Sequence, residues 1–456
     1  MLIAWKRLLL FLRNFQLNLN CEDYSLNLDW VLWRNLMKSI RHLLFAVLLI
    51  FATCSTVAVS PFMIEDKPLN AALFFGVTFG GKTTDEAKLL IDKVKGYTNL
   101  FVVDSWDISL NETALDEICE YATNADLSII VYFNFVLYNY TYQVGNVYNS
   151  TTWDDYGVRP FHMAWLNSAR ENWGEKFLGI YLYDEPGGKQ IDKGHYFGNT
   201  TLRTGGNSTI FSNVSSYSDA SNRFVRSVSR SGSMQHVKNT SIPNSINKPM
   251  PVFTADNALY WFDYLAGYDT VFAELGWNHN RAQHIAMVRG AANAQNKDWG
   301  AIMTWTYDNP PYLASGPEIL EDMLTAYEAG AKYVIIFNYP TYPEDNPYGI
   351  LSEEHFAAMQ QFWTYVRKYP GAYEQTKAQV AFVLPKDYGW GMRTAHDNIW
   401  GLWPPDNLSP LIWDKMTTLI NRYGLALDIL YDDPQFNFTE KYSKIYLWNS
   451  TTDSYT

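Results

Sequence analysis

The sequence predicts a (β/α)8 TIM barrel followed by a smaller α/β domain. From residue 71 onward, apolar runs of about six to nine residues alternate with amphipathic stretches of helical length. Eight such pairs follow one another over about 300 residues, as this barrel requires. An open doubly wound sheet is the alternative, although it usually has fewer units. After residue 371 the pattern changes, and this change marks the second domain.

Each predicted strand is followed by a predicted helix, and a long loop lengthens the fourth unit. The predicted strands cover residues 72–79, 99–105, 127–135, 177–183, 250–255, 269–273, 299–307 and 332–338. The predicted helices cover residues 84–95, 112–124, 161–173, 217–230, 261–265, 280–296, 317–329 and 353–368. Residues 187–216 are polar and rich in Gly, Ser, Thr and Asn, which predicts the loop. The barrel is thus predicted over residues 70–371.

The second domain is predicted over residues 378–456. It begins with the strand "AQVAFVL", which is followed by the helix "SPLIWDKMTTLINRYG" with Gly424 as its C-cap. Two more strands, "LALDILY" and "KIYLW", complete the pattern. No helical pattern follows the last strand, so we expect this domain to be incomplete.

Residues 37–60 have the layout of a secretory signal peptide. Lys38 and Arg41 form a basic segment, an apolar stretch follows, and small residues come after it. The apolar stretch is short for a membrane span, and an uncleaved N-terminal anchor is the alternative. Because residues 1–36 precede this signal, we interpret them as a doubtful N-terminal extension, with Met37 as the true start.

Glycosylation sequons also predict export to the outside or surface of the cell. Ten Asn-x-Ser/Thr sequons occur, at Asn111, Asn139, Asn149, Asn199, Asn207, Asn213, Asn239, Asn407, Asn437 and Asn449. Of three cysteines, only Cys119 lies beyond the predicted signal, so no disulfide framework is expected. Many sequons without disulfides are typical of an archaeal secreted or surface glycoprotein.

The composition favours a neutral ligand over a nucleic acid. The net charge is −12 and the pI is near 5.2, whereas phosphate binding requires clustered Lys and Arg. Aromatic residues make up 16% of the chain, and their flat faces suit sugar rings, which predicts an oligosaccharide or polysaccharide partner. No cofactor is predicted. His279 and His284 lack the spacing of a metal site, so none is predicted there.

Polar and aromatic residues recur where the predicted strands end, which is where a TIM barrel carries its active site. Alternation along a strand sorts the carboxylates among them. On strand 4, Tyr181, Tyr183 and Glu185 are predicted to face the barrel axis. Glu274 on strand 6 and Asp308 on strand 7 are predicted to do the same. The other candidate site residues, assigned to substrate binding, are Asp104, Trp106, Asn134, Asp184, Asp256, Trp277, Tyr312 and Asn338.

Two carboxyl groups on either side of a scissile bond are what glycoside hydrolysis requires: one donates a proton and the other attacks or activates water. Glu185, Glu274 and Asp308 are therefore the candidate catalytic residues. The predicted function is a secreted or surface glycoside hydrolase. The alternative is a non-catalytic carbohydrate-binding or cell-surface protein built on a glycosidase-like barrel.

The turn "YLYDEP" at strand 4 resembles the Asn-Glu-Pro turn of clan A glycoside hydrolases. The resemblance implies that Glu185 is the general acid/base and that a strand 7 glutamate is the nucleophile. Strand 7 here offers Asp308, so the nucleophile is either Asp308 or Glu274. Asp184 stands where the family has Asn, so contact with the sugar 2-hydroxyl would differ. The second domain is similar to the one that follows the barrel in glycoside hydrolase family 42 β-galactosidases, and no specific family is assigned.

Overall fold

Eight parallel strands close into a barrel in the order β1 to β8. In this computed structural model, residues 73–133, 161–194, 214–239, 249–340 and 346–450 are described. They belong to one compact unit, Asp66–Thr456. The predictions for residues 1–60 and for Asn134 lie outside the described residues. The predicted TIM barrel is confirmed by the strand order.

The barrel strands are short, as expected of buried parallel strands. They are β1 Phe74–Phe79, β2 Leu100–Val103, β3 Ser128–Phe133, β4 Phe177–Leu182, β5 Val252–Asp256, β6 Thr270–Leu275, β7 Asp298–Met303 and β8 Tyr333–Ile336. The helices described with them are α1 Thr84–Val94, α2 Trp106–Ser109, α3 Glu112–Asn124, α4 Phe161–Trp173, α5 Pro186–Lys193, α6 Tyr217–Ser229, α7 Gly232–Asn239, α8 Tyr260–Leu265, α9 Arg281–Gln295, α10 Gly316–Glu328 and α11 Glu353–Lys368.

The interior of the barrel is filled by side chains from alternate positions of the strands. This inner cluster consists of Leu100, Val102, Ile130, Tyr181, Phe253, Ala255, Phe272, Ile302, Tyr333 and Ile335. The intervening residues, such as Val271, Ala273 and Leu275 on β6, pack outward against the helices. Period-two alternation therefore holds on β6 and places Glu274 on the same inner face as Phe272.

Strand β4 departs from strict alternation at both ends. Gly179 has a φ of 145°, and a Cβ there would lie 2.3 Å from the Pro251 carbonyl oxygen, so only glycine fits this irregular register. After Leu182 the chain leaves the strand, because Tyr183 has a φ of 57°. The prediction that Tyr183 faces the barrel axis is wrong, since its side chain packs in the outer core.

The second domain is a three-stranded parallel sheet in the order β10-β9-β11. Its elements are β9 Val380–Leu384, α12 Ser409–Tyr423, β10 Leu427–Tyr431 and β11 Lys444–Leu447. The strand β10 packs against the barrel helix α9. There the Arg289 side chain donates from Nε to Asp428 Oδ1 over 2.8 Å, with both residues buried. The predicted smaller α/β domain is therefore confirmed as a fold class.

Two predicted elements differ from the structure. Residues 187–216 are not one loop, because α5 begins at Pro186, a residue whose fixed φ suits the first turn of a helix. Strand β7 ends at Met303 and not at residue 307, because the amides of Thr306 and Tyr307 turn to the Tyr312 carbonyl. Within the described ranges, no helix combines the length and apolar character that a membrane span requires.

Candidate active site

The turn between β4 and α5 places Glu185 at the C-terminal end of the barrel strands, which we call the mouth. Glu185 has φ and ψ of 49° and 54° and is the N-cap of α5. The next two amides of the helix, Gly187 N and Gly188 N, donate to Asp256 Oδ2 and Oδ1 over 2.6 and 2.8 Å. A Cβ on Gly188 would lie 2.6 Å from Asn257 Oδ1. The glycine pair therefore lets the end of β5 approach the helix N-terminus closely.

Glu274 meets Glu185 across the mouth. It projects from β6, is 7% exposed, and its carboxyl group hydrogen-bonds the carboxyl of Glu185. Burial raises the pKa of Glu274 well above its usual range, and the negative charges of Glu185, Asp184 and Asp256 raise it further. We call Glu185 and Glu274 the acid pair. Because two carboxylates cannot contact each other while both are ionised, the acid pair holds a proton.

The surroundings of the acid pair are asymmetric and favour the proton on Glu274. Asn257 Nδ2 donates to Glu185 Oε1 over 3.1 Å, and Lys189 Nζ lies 3.5 Å from Glu185 Oε2. The Glu185 side chain is 29% exposed. Glu274 is more deeply buried, and the residue it hydrogen-bonds in the described part of the chain is an acid. Glu185 thus contacts a donor and a cation and is open to water, whereas burial favours the neutral form of Glu274.

Asp184 lies beside the acid pair and shares Lys189 with Glu185. Tyr181 Oη accepts from the Ala255 amide and donates to Asp184 Oδ1, each over 2.9 Å. Lys189 Nζ donates to Asp184 Oδ2 over 2.9 Å. Asp104, at the end of β2, is partly buried, and burial together with the charge of Asp184 raises its pKa well above the usual range. Negative charge is therefore concentrated at the mouth.

A second pair of carboxyl groups, the buried aspartate pair, lies behind α5. Asp256 and Asp263 are both fully buried and contact each other. Burial raises the pKa of Asp256 to about 7, although the amides of Gly187 and Gly188 favour its charged form. Burial and the charge of Asp256 raise the pKa of Asp263 well above its usual range. No other hydrogen-bond partner faces the oxygens of Asp263 among the described residues, so Asp263 holds the proton of this pair.

Three other predicted site residues differ in what they contact. Asp308 lies in the turn after β7, is exposed, and makes no hydrogen bond or ion pair with another described residue, so its catalytic role stays a prediction. Asp256 caps α5 and is not open to a ligand. Asn338 is buried, and its Oδ1 accepts from the Ile350 amide, so it fixes a loop. Asn134 lies outside the described residues.

Exposed aromatic side chains follow several strands at the mouth. Trp106 after β2 and Trp277 after β6 are 44% and 39% exposed. Tyr307 and Tyr339, which were not among the predicted site residues, are 46% and 49% exposed after β7 and β8. Tyr312 is partly buried and packs edge-on against Trp305, with ring centroids 5.4 Å apart. Flat apolar faces with polar edges are thus available around the mouth.

Sequence reasoning missed the residues that hold the acid pair in place. Lys189 follows Glu185 by four residues, and this helical spacing was a usable signal. Asn257, which directly follows Asp256, is visible in the sequence as a polar residue at a strand end but was not assigned to the site. Arg393 Nη1 donates to Asn257 Oδ1 over 3.3 Å from the second domain, and nothing in the sequence predicts that contact.

The described residues include no metal-ligand cluster, and the described cavity is not at the acid pair. In the part of the chain that the structure describes, no three His, Cys, Asp or Glu side chains are grouped as metal ligands. A cavity of about 280 Å³ lies where the end of α9 meets the second domain. Its lining residues are Ala292, Asn293, Asn296, Lys297, Ala378, Lys441 and Tyr442, none of which belongs to the mouth.

Comparison with known proteins finds resemblance in solved structures. No protein family and no curated protein matches the sequence. A glycoside hydrolase family 5, subfamily 18 protein from Streptomyces cattleya, in complex with Manβ1-4GlcNAc, is 10% identical with a TM-score of 0.46, over 82% of this chain and 99% of that one. One from Bifidobacterium longum, in the same complex, is 12% identical with a TM-score of 0.46, over 84% and 98%.

A different enzyme also resembles this chain. The truncated form of 3-deoxy-D-arabino-heptulosonate 7-phosphate synthase from Thermotoga maritima is 10% identical with a TM-score of 0.33, over 66% of this chain and 87% of that one. Glycoside hydrolases of family 5 are therefore among the structural neighbours. No specific family is assigned, and identities this low do not transfer an activity.

Proposed function

We propose that this protein is a glycoside hydrolase whose catalytic groups are Glu185 and Glu274. The observation that carries the proposal is the contact between two carboxyl groups from β4 and β6 at the barrel mouth, one of them kept protonated by burial. A proton donor beside an ionised carboxylate is the minimum set of groups for cleaving a glycosidic bond. The exposed Trp106 and Trp277 supply faces on which sugar rings can stack.

In this proposal Glu274 donates its proton to the leaving oxygen and Glu185 attacks the anomeric carbon. The division follows from the environments, since burial keeps Glu274 protonated as a donor, and Glu185 lies beside the amide of Asn257 and the cation of Lys189. It reverses the roles that the strand 4 resemblance implies. After the leaving group departs, ionised Glu274 accepts a proton from water, and that water releases the sugar from Glu185.

The spacing of the acid pair favours a retaining reaction. Retaining enzymes hold their two carboxyl groups about 5–5.5 Å apart, and inverting enzymes about 6.5–9.5 Å, because the latter accommodate a water molecule. Glu185 and Glu274 contact each other directly, which is nearer the retaining arrangement. The substrate would separate the two groups slightly as the glycosidic oxygen enters between them.

A panel of chromogenic glycosides tests the proposal. We expect the wild type to hydrolyse at least one member, and we expect Glu185→Gln and Glu274→Gln each to lower kcat by at least about 1,000-fold, because each removes one half of the acid–base pair. Glu120→Gln is the matched control and should keep wild-type activity, since Glu120 is exposed on the barrel helix α3. Full activity in either glutamine variant would contradict the assignment.

Azide distinguishes the two role assignments. If Glu185 is the nucleophile, Glu185→Ala with azide gives a glycosyl azide of inverted configuration, because azide attacks from the vacated face. If Glu185 is the acid/base, the azide displaces a covalent sugar and the product keeps the substrate's configuration. We expect inversion for Glu185→Ala and retention for Glu274→Ala; the reverse pattern would restore the roles implied by the resemblance.

A non-catalytic carbohydrate-binding protein on the same barrel is the second candidate. It is favoured by one observation: strand β7, which carries a catalytic glutamate in clan A, brings no described carboxylate to the acid pair. Binding of oligosaccharides by calorimetry without turnover of any glycoside on the panel would favour this candidate over the enzyme.

We also propose that the protein is secreted or held at the cell surface, with or without an anchor in residues 37–60. The proposal rests on the signal-like segment and on the sequons. Four sequon asparagines with described side chains, Asn111, Asn407, Asn437 and Asn449, are exposed, as glycan acceptors must be. Unmodified peptides at all four positions, in mass spectra of the native protein, would count against export.

A further inference from the structure

A loop of the second domain lies against the barrel mouth. This loop, residues 387–403, which we call the domain loop, follows β9 and carries two fully buried tryptophans, Trp390 and Trp400. Trp390 Nε1 donates to the Asp397 carbonyl over 2.8 Å, and Trp400 Nε1 donates to the Asp387 carbonyl over 2.9 Å. These two bonds fold the loop upon itself, so its shape does not depend on a ligand.

The domain loop is docked on the helices around the acid pair. Gln190 Nε2, on α5, donates to the Trp400 carbonyl over 2.8 Å. The Trp400 ring packs edge-on against Phe262 of α8, with centroids 4.6 Å apart. Gln283, near the start of α9, donates to the Met392 carbonyl. The loop therefore has a fixed position relative to the turn that carries Glu185.

From this loop Arg393 reaches into the barrel. Its guanidinium is held by Asp397, with Nε 3.1 Å from Oδ2, and by Asp192, with Nη2 2.7 Å from Oδ1. Its remaining arm donates from Nη1 to Asn257 Oδ1 over 3.3 Å. Asn257 in turn donates from Nδ2 to Glu185 Oε1 over 3.1 Å. The side chain of Arg393 is only 16% exposed, so these contacts are largely shielded from water.

We propose that Arg393 is a positioning residue of the second domain that fixes the amide of Asn257 with its donor toward Glu185 and thereby keeps the Glu185 carboxyl group aimed at the substrate. The proposal deepens the proposed function and rests on it for its catalytic consequence. An asparagine amide can present either its oxygen or its nitrogen to a neighbour. Only the orientation with Oδ1 on Arg393 offers a donor to the carboxylate of Glu185.

The charges facing Glu185 show why this donor matters. Asp184, Asp256 and Glu274 are negative or potentially negative, and they come from β4, β5 and β6. Lys189 on α5 and Arg393 on the domain loop are the positive groups placed against them. With Arg393 gone, the Asn257 amide is free to turn its oxygen toward Glu185, which adds a repulsive contact to an already negative site.

The variant Arg393→Met tests the proposal through its kinetic constants. We expect kcat to fall about 10- to 100-fold with little change in KM, because a displaced catalytic group lowers the rate more than binding. Arg422→Met is the matched control: Arg422 is exposed near the end of α12 in the same domain, and its replacement should leave both constants at their wild-type values.

A double-mutant cycle separates positioning from a general effect on folding. In an Asn257→Ala background, Arg393→Met should cause no further loss, because the residue through which it acts is absent. Equal losses from Arg393→Met in both backgrounds would overturn the proposal. If Arg393→Met does not fold, Arg393→Lys, which keeps the charge but cannot make the same fork of hydrogen bonds, takes its place in the cycle.

The test can fail independently of the proposed function. If the wild type hydrolyses no glycoside, the proposed function fails, and crystal structures of the wild type and of Arg393→Met replace the kinetic measurement. Loss of the hydrogen bond from Asn257 Nδ2 to Glu185 Oε1 in Arg393→Met, with the bond present in the wild type, would support the positioning role without any activity. An unchanged bond in the variant would overturn it.

Discussion

Four carboxyl groups at the mouth of the barrel lie in two contacting pairs, and each pair is stable only with a proton. The acid pair lies at the surface of the mouth, and the buried aspartate pair lies behind the first turn of α5. Asp256 links them, because its charge raises the pKa of both Glu274 and Asp263. Protons bound here are therefore part of the native structure at neutral pH.

The variant Asp263→Asn tests the buried aspartate pair. The folded chain keeps Asp263 protonated well above the pH, near 4, at which it ionises in the unfolded chain. Because the folded state binds the extra proton, stability falls as the pH rises above about 4, by up to about 1.4 kcal/mol per pH unit. Asparagine can still donate to Asp256 but does not titrate, so the loss of stability between pH 5 and pH 7 should become smaller, as measured by urea unfolding.

Asp308→Asn is the control for this experiment. Asp308 is exposed, so its replacement should leave both the stability and its pH dependence unchanged. An unchanged slope for Asp263→Asn, equal to that of the wild type and of the control, would mean that the two aspartates do not share a proton.

At the scale of the elements, the junction of β4, β5 and α5 forms the site. The carboxylate of Asp256 accepts from the first amides of α5, where the helix dipole favours negative charge. The side chain of Asn257 lies directly against Gly188 and leaves no room for a methyl group at that position. The same close approach therefore fixes the helix and orients the amide that contacts Glu185.

The variant Gly188→Ala is expected to disturb activity and stability together. Its Cβ would lie 2.6 Å from Asn257 Oδ1 and 2.9 Å from Nδ2, so the amide must move away from Glu185. Overpacking of this kind costs about 1–3 kcal/mol, and we expect a matching fall in thermal stability with a loss of hydrolysis. Gly96→Ala is the control, since nothing lies within 4 Å of its Cβ. Wild-type activity in Gly188→Ala would show that the fit at this junction is unimportant.

The elements also show what could be predicted from the sequence. Alternation located Glu274 because β6 is regular from Thr270 to Leu275. It failed for Tyr183, whose positive φ breaks the period. A left-handed backbone conformation at a strand end is imposed by tertiary contacts and not by the local sequence pattern. The number of strands was therefore predictable from the pattern, whereas the direction of a side chain at such a residue was not.

At the scale of the whole molecule, the boundary between the two domains is visible in the sequence but their interface is not. Arg289 lies within α9, where a basic residue would ordinarily face water, yet only 3% of the residue is exposed. Its guanidinium donates to the carbonyls of Ala329, Thr376, Leu425 and Leu427 as well as to Asp428. Contacts between residues 139 positions apart, such as Arg289 and Asp428, leave no periodic signal.

This interface predicts that the barrel and the second domain unfold together. Among the described residues, Arg289→Met leaves buried Asp428 with the weaker donors Asn293 and Tyr442, which should destabilise the protein by about 3–5 kcal/mol. Hydrogen exchange measured by mass spectrometry should show α9 and β10 losing protection in one step. Arg223→Met, which removes an ion pair with Asp219 on partly exposed α6, is the control and should cost less than about 1 kcal/mol.

The double variant Arg289→Met with Asp428→Leu completes this test. Removing both charges leaves no unpaired ion in the interface, so we expect much of the lost stability to return. The domain loop carries Arg393 to Asn257, so a loosened interface should also reduce hydrolysis in Arg289→Met. The double variant should restore hydrolysis in proportion to the stability it regains. Separate exchange of the second domain in Arg289→Met, with the barrel and its activity unaffected, would show that the interface does not support the site.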